Sequence, residues 1–263
     1  MRDTKAGIEL VKGLVTEAGK RALERCGAVG CERKSDESLV TEVDRDTELF
    51  LEERLKAAYP DFAFLGEEYG WRGPADAPVW CCDPIDGTTN YVFGLPHWCV
   101  SVGLVHQGVP LLGALYVPRL DELFWAVRGQ GAFCNGVPLR CVDRDEPAAE
   151  DTVCLASPPL KTLNVSEAKG ILRALGSIAI EVAYTGRGNL CAAIGQGEGI
   201  LDVAAALCIL FEAGGEFRHL SGPKVDIDAW VRSHHTPYRK DKPHLLYGPP
   251  RMLKHLQGTL KPL

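Results

Sequence analysis

The sequence predicts a mixed α/β protein of two lobes joined near residue 150, and three observations carry that reading. Hydrophobic residues recur at helical spacing over residues 8–59, short apolar runs of strand length follow, and strand and helix patterns alternate after the acidic stretch VDRDEPAAEDT. The chain has 263 residues, 46% hydrophobic and 24% charged, which is ample material for a large core and unlike the composition of a disordered chain.

Taken in order, Ile8, Val11, Val15, Ala18 and Ala22 step by three and four and predict an amphipathic helix ending near Gly27. A second helix is predicted over residues 41–59, stopped by Pro60. The period then shortens. FAFLG, PVWCC, WCVSVGLVHQG, VPLLGALYV and ELFWAV read as strands, several separated by glycine-containing turns, and GQGAFCNGVPLRC closes the series. Beyond residue 150, TVCLAS reads as a strand and SEAKGILRAL as a helix. DVAAALCILFEAGG reads as a helix C-capped by paired glycines, and HLLYGPPRMLKHLQGTL as a last strand and helix. The lobes are therefore placed at residues 1–150 and 151–263, with ligands expected between them.

Composition excludes several functions. A net charge of −6, from 29 basic and 35 acidic residues, comes without a basic stripe, so nucleic acid is not the expected partner. The short tract SHHTPYRKDKPH reads as a solvated loop. MRDTKAGIEL lacks the apolar core of a signal peptide and no window reaches the length of a membrane span, so a cytoplasmic protein with no membrane partner is expected. The ten cysteines show no C-x-x-C spacing and most lie in apolar runs, which predicts reduced, buried thiols acting as small hydrophobes.

The chemistry concentrates in WCCDPIDGTTN. Asp83 and Asp86 stand three positions apart at the end of an apolar run, with Pro84 fixing the backbone after the first and Gly87 allowing a turn after the second. Thr88, Thr89 and Asn90 read as a helix start whose free N–H groups accept an anion. A plain surface turn explains neither the two charges nor their nearness to an anion site. Glu67 and Glu68 leave a predicted strand end, where a solvent-facing loop is an equally natural reading. Asp202 opens the helix DVAAALCILFEAGG and Asp44 completes the pattern TEVD, so on spacing alone both read as helix caps. An all-carboxylate set selects hard cations, Mg²⁺ with Mn²⁺ as substitute, and one water on such an ion can serve as nucleophile. The residues alone thus point to metal-assisted hydrolysis of a phosphate ester.

GEE at residues 66–68, DPIDGTTN at 83–90 and the distant DVAAALCILFEAGG resemble the inositol monophosphatase family, within the lithium-sensitive, magnesium-dependent phosphatases. KSDESLVTEVDRDTE, FWAVRGQGAFCNGVPLR and RALGSIAIEVAYTGRG extend the resemblance over nearly the whole chain. It implies a layered α-β-α-β-α sandwich, a homodimer, and hydrolysis of a small phosphorylated metabolite by activated water with no phosphoenzyme. Carried over by position, Glu67, Asp83 and the Ile85 carbonyl hold one Mg²⁺, Asp83, Asp86 and Asp202 hold a second, and a weaker third touches Glu67. Asp86, Gly87, Thr88, Gly176, Ser177, Gly195 and Asp202 meet the substrate. Asp44 and the Thr88 hydroxyl orient the attacking water, which overrides the reading of Asp44 as a cap alone.

Departures from the family pattern fall in the second lobe. Ile178 stands where inositol enzymes carry alanine, Gly195 where they carry glutamate, Cys191 in place of Asp and Leu201 in place of Trp. These leave the metal ligands intact. Gly195 is expected to leave one side of the pocket roomier and without an acceptor, while Ile178 adds apolar bulk. GTT after Asp86 argues against the bisphosphate-nucleotidase branch, and fructose bisphosphatase and histidinol-phosphate phosphatase activities stay open. The non-enzymatic alternative, a protein that binds a phosphorylated metabolite without turning it over, would be marked by a lost ligand.

Overall fold

Along the strand Val79–Asp86 every residue is buried, Val79 and Cys81 in one hydrophobic cluster and Trp80 and Cys82 in another. A strand covered on both faces has no polar side to display, which is why PVWCC reads as an unbroken apolar run. In the computed structural model, which describes residues 4–33, 39–221, 225–232 and 243–263, this strand lies in an eight-stranded sheet. Across that sheet run Val137–Pro138, Ala132–Cys134, Glu122–Val127, Val109–Val117, Cys99–His106, Val79–Asp86, Ala63–Gly66 and Gly70–Arg72. Its pairs are antiparallel except Ala63–Gly66 with Val79–Asp86. Helices Thr4–Leu23 and Glu42–Ala58 cover its outer face, where Val11, Val15, Leu51 and Leu55 meet Trp80, Val102 and Leu112.

A second sheet of five strands follows in the order Ile171–Arg173, Thr152–Leu155, Ala192–Gln196, His244–Gly248 and Glu216–His219. Helices Ile178–Arg187 and Ile200–Glu212 lie between the two sheets. One continuous core takes in Leu115 and Phe124 of the first sheet, Leu207 and Val182 of the helices, and Tyr247 of the second sheet. Pro250–Thr259 closes the far side through Met252, Leu253 and Leu256. The layers are thus α, β, α, β, α. All cysteines but Cys26 and Cys31 are buried, and no helix among the described residues is long and apolar enough to cross a membrane.

Two sequence expectations change. SEAKGILRAL does not form a helix: its Ile171–Arg173 is a strand running parallel to Thr152–Leu155. Gly170, at φ +84°, turns the chain into the sheet, and pairing there outweighs a weak local helix preference. The helix instead comes next, over Ile178–Arg187, N-capped by Ser177. Residues 34–38 of the lysine and aspartate segment and 233–242 of the histidine-rich tract lie outside the described residues, while His244 is buried in a strand.

The helix Ile200–Glu212 approaches the first sheet closely because glycine faces it on neighbouring strands. Gly103 and Gly113 are register partners, and a Cβ on either would lie 2.6 Å from the backbone of Ala205. The alanines at 204–206 and these glycines set how near the helix lies, and therefore where its first turn places Asp202. Gly113→Ala is expected to push the helix outward, lowering unfolding free energy by about 1–3 kcal/mol. Urea denaturation measures the loss, and an unchanged midpoint would show that the contact does not set the spacing.

Candidate active site

In a regular strand, residues three apart face opposite sides. Asp83 and Asp86 do not, because the pairing with Cys99–His106 is irregular between them. Asp83 pairs with Ser101 and Asp86 with Cys99, so three steps on one strand match two on the other. This bulge turns both carboxylates toward one corner. Asp83 is fixed locally, its Oδ1 accepting from the Ile85 N–H at 3.0 Å. Gly87, at φ +90°, then starts the short helix Thr88–Val92, and a side chain there would meet the His97 carbonyl at 2.9 Å.

Asp44 is the third residue of its helix and nearly fully buried. Its Oδ2 accepts from the Thr41 N–H at 2.8 Å and the Thr41 hydroxyl at 2.6 Å, so the capping box legible in TEVD exists. Its other oxygen, Oδ1, lies 3.4 Å from the Thr88 hydroxyl, which also reaches the Ile85 carbonyl at 3.0 Å. Capping and facing Thr88 therefore use different oxygens of one carboxylate. Asp202 repeats the device. It is the third residue of Ile200–Glu212, not the first, and its Oδ2 accepts from the Gly199 N–H at 2.7 Å.

Asp86 ties the layers together. Its Oδ2 accepts from the Ser177 hydroxyl and from the Ala179 N–H at 2.9 Å, the first turn of the helix Ile178–Arg187. Three further side chains, to which no sequence pattern assigned a role, hold this junction and the turn that carries Glu67. Asn90 donates to the His97 carbonyl at 2.6 Å and the Leu175 carbonyl at 2.7 Å. Glu181, fully buried, accepts from the N–H groups of Leu175 and Gly176. Glu48, one helical turn after Asp44 and also fully buried, accepts from the N–H groups of Glu68 and Tyr69 and so fixes the turn carrying Glu67. A signal for two of them existed: Asn90 belongs to DPIDGTTN, and Glu181 is a lone charge within the apolar IAIEVA.

Burial and mutual repulsion push the Asp83 carboxyl well above the usual carboxylate range, the neighbouring charges being those of Glu67, Asp86, Asp202 and Asp44. Asp86 is raised well above it too, by burial and then by Asp202. Burial pushes Asp44 up to about 6, against the lowering by its Thr41 hydrogen bonds, and Glu48 up to about 7. Among the described residues no three Asp, Glu, His or Cys side chains converge into a ready ion-binding group. The carboxylates share a corner without meeting at a point. Their chemistry nonetheless fits a hard cation, since the groups whose charge bears on Asp83 are all carboxylates, and a cation would relieve that repulsion.

At the substrate-side positions the expectations divide. Gly176 and Ser177 do adjoin Asp86. Leu201 is fully buried in the central core and Cys191 in the outer one, beneath the helix Pro250–Thr259, so these two departures are packing positions. Gly195 does not leave open space. A Cβ there would lie 2.1 Å from Glu198 Oε1, so the Glu198 carboxylate fills the place, and the expectation of a roomier side without an acceptor is corrected. The reason is local: Glu198, three residues on in a turn, folds back over the strand end.

Carboxylates gathered at a strand end, beside a glycine turn and two helix starts, define a class of hydrolase acting on phosphate esters. Comparison with known proteins agrees. The family model described as the inositol monophosphatase family matches residues 3–246. An inositol monophosphatase of Mesembryanthemum crystallinum is 37% identical over 80% of this chain and 83% of that protein. An Aquifex aeolicus fructose-1,6-bisphosphatase/inositol-1-monophosphatase is 30% identical over 85% of this chain and 89% of that protein. Among solved structures, the extragenic suppressor protein suhB of Bartonella henselae superimposes with a TM-score of 0.82 at 28% identity, covering 96% of this chain and 97% of that one. The chain belongs to the inositol monophosphatase family and is a phosphomonoester hydrolase of that kind.

The raised value of Asp44 gives a test with a definite sign. The fold retains a proton there that the unfolded chain releases near pH 4, so stability from this group is complete below that value and is lost as pH rises through about 6. Asp44→Asn carries no charge to lose. In chelator, the variant is expected to gain up to about 3 kcal/mol relative to wild type between pH 4 and pH 8. Melting curves of both proteins at the two pH values give the comparison, and an equal difference at both would refute it. Taking the difference cancels His219 and His244, whose burial acts in the opposite sense.

Proposed function

We propose that the protein hydrolyses a small hydroxylated phosphomonoester, inositol monophosphate or a related polyol or sugar phosphate, with Mg²⁺ as cofactor. The observation that carries this is the convergence of charge from Asp44, Glu67, Asp86 and Asp202 on the buried Asp83, at the end of a strand beside the Gly87 turn. Glu67, Asp83, the Ile85 carbonyl, Asp86 and Asp202 are the groups that would hold Mg²⁺. Bound there, it would supply charge neutralisation of the phosphate, a more acidic water and support for the leaving alkoxide.

The chain's own residues account for the rest. N–H groups of Gly87 and Thr88 bind the phosphate, and the bulge that groups Asp83 with Asp86 keeps the phosphate in line with the corner. The Thr88 hydroxyl has one proton and two acceptors in reach, Asp44 and the Ile85 carbonyl. When it donates to Asp44, its oxygen is left to accept from a water, and Asp44 takes the proton onward as general base. Ser177 and Ala179 hold Asp86 still while the leaving group departs. No cysteine or serine of the motif is placed as a nucleophile, so direct attack by water is the step this reading requires. The division into lobes at residues 1–150 and 151–263 and a homodimeric state belong to the same proposal.

Turnover is expected to be abolished by EDTA and restored by Mg²⁺, with Mn²⁺ a partial substitute. Asp83→Asn should cost several orders of magnitude in rate, since charge stabilisation worth several kcal/mol is lost and each ~1.4 kcal/mol is tenfold. Phosphate release from a panel of monoesters measures both, and full activity in chelator would overturn the mechanism. Asp44→Asn should cut kcat by a factor on the order of 10² or more without unfolding the helix it caps. A variant with a normal rate would return Asp44 to a purely structural role. Light scattering at micromolar concentration tests the dimer.

A further inference from the structure

The strand Cys99–His106, beside the one that carries the two aspartates, holds a hydroxyl that the fold does not use. Ser101 is completely buried, and its Oγ has no hydrogen-bond partner among the described residues. Its register partner is Asp83. Buried polar side chains as a rule find a partner, and one left without costs stability, so such a hydroxyl calls for a reason.

Alternation along the strands fixes the face it occupies. Trp80 and Cys82 pair with Leu104 and Val102, and all four lie in the core beneath the N-terminal helices. Val79 pairs with Val105, and both lie in the core on the opposite face, with the helix Ile200–Glu212. Residues directly opposite in an antiparallel pair share a face, so Ser101 and Asp83 stand together on this second face, their Cβ atoms roughly 5 Å apart. Around Ser101 on that face are Asp83 on one neighbouring strand, Leu115 on the other, and Cys99 and Gly103 along its own. Of these side chains only Asp83 is a strong acceptor. Asp83 is in turn thinly supplied: its Oδ1 accepts from the Ile85 N–H, its one donor among the described residues, whereas Asp86 receives both the Ser177 hydroxyl and the Ala179 N–H. An unused donor thus faces a carboxylate able to accept more.

We propose that Ser101 is a positioning residue: its hydroxyl donates to the Asp83 carboxylate in the Mg²⁺-loaded enzyme and holds that carboxylate in the orientation that binds the ion. The proposal rests on the reading above in which Asp83 holds Mg²⁺. Rotation about the Ser101 Cα–Cβ bond carries the hydroxyl among three staggered positions without moving the strand, so the bond can form inside a packed sheet. A hydrogen bond to a charged acceptor is stronger than one between neutral groups, and the hydroxyl gains most when Asp83 is ionised.

The test is a calorimetric titration with Mg²⁺ of wild type, Ser101→Ala and Ser101→Cys, each first stripped with chelator, together with melting curves of the stripped proteins. Ser101→Ala is expected to raise the Mg²⁺ dissociation constant about tenfold or more. Its melting temperature without Mg²⁺ should stay at or above that of wild type, because the hydroxyl removed makes no bond there. Ser101→Cys keeps the size of the side chain with only a weak donor and should bind Mg²⁺ about as poorly as the alanine variant. Equal affinity in wild type and Ser101→Ala overturns the assignment, and so does wild-type affinity in Ser101→Cys, which would give residue 101 a packing role. A Ser101→Ala chain that melts well below wild type, or does not fold, in chelator overturns it too, since the hydroxyl would then serve the fold itself. Should wild type bind no Mg²⁺, the reading of Asp83 as an ion ligand fails and the Ser101 assignment with it. Where wild type does bind Mg²⁺, a failed expectation falls on Ser101 alone.

Discussion

Repulsion among the carboxylates of Asp44, Glu67, Asp83, Asp86 and Asp202 is the constraint on which the rest of this structure depends. Gathering charge around the buried Asp44, Asp83 and Asp86 opposes folding, since desolvation and neighbouring charge both disfavour their ionised forms. The fold holds the four aspartates by separate contacts. Asp44 and Asp202 accept from the N–H groups at their own helix starts, Asp83 from Ile85, and Asp86 from Ser177 and Ala179. A cation-binding corner is thus assembled from groups that are locally satisfied and collectively frustrated. Frustration of that kind is what a bound cation relieves.

Much of the remaining architecture serves that placement. The glycines at 103 and 113 let the Asp202 helix settle onto the sheet. The bulge in Val79–Asp86 brings two aspartates to one side. Glu48 and Glu181, both fully buried, use their carboxylates as acceptors for backbone turns, one holding the segment with Glu67 and the other the segment with Ser177. Acidic residues therefore play two roles within a short distance: some face the reaction corner, and others fix the loops that carry them. A pocket of about 630 Å³ lined by Gln107, Phe211, Phe217 and Asp226 lies toward the opposite end of the Asp202 helix, away from this corner.

Family membership rests on the chain as a whole, from the match over residues 3–246 to the superposition on a solved suhB structure. What distinguishes this chain lies in the turn before Asp202. There Gly195 stands where the resemblance led us to expect glutamate, and the Glu198 carboxylate, accepting from the Tyr247 hydroxyl, fills the space over it.

The sequence by itself determined the elements whose burial pattern is local: the two N-terminal helices, the doubly covered strands of the first sheet, and the strand and helix that end the chain. It also determined the carboxylates of DPIDGTTN and the capping box of Asp44, because each motif is a contiguous pattern with its own backbone requirement. Tertiary structure alone decided the rest. Ile171–Arg173 became a strand because a parallel neighbour was available, and no local pattern records that. Glu48, Glu181 and Glu198 acquired their roles from residues as much as 49 positions away. A hydrogen bond between segments depends on where packing carries both partners, and the spacing along one segment holds only half of that information.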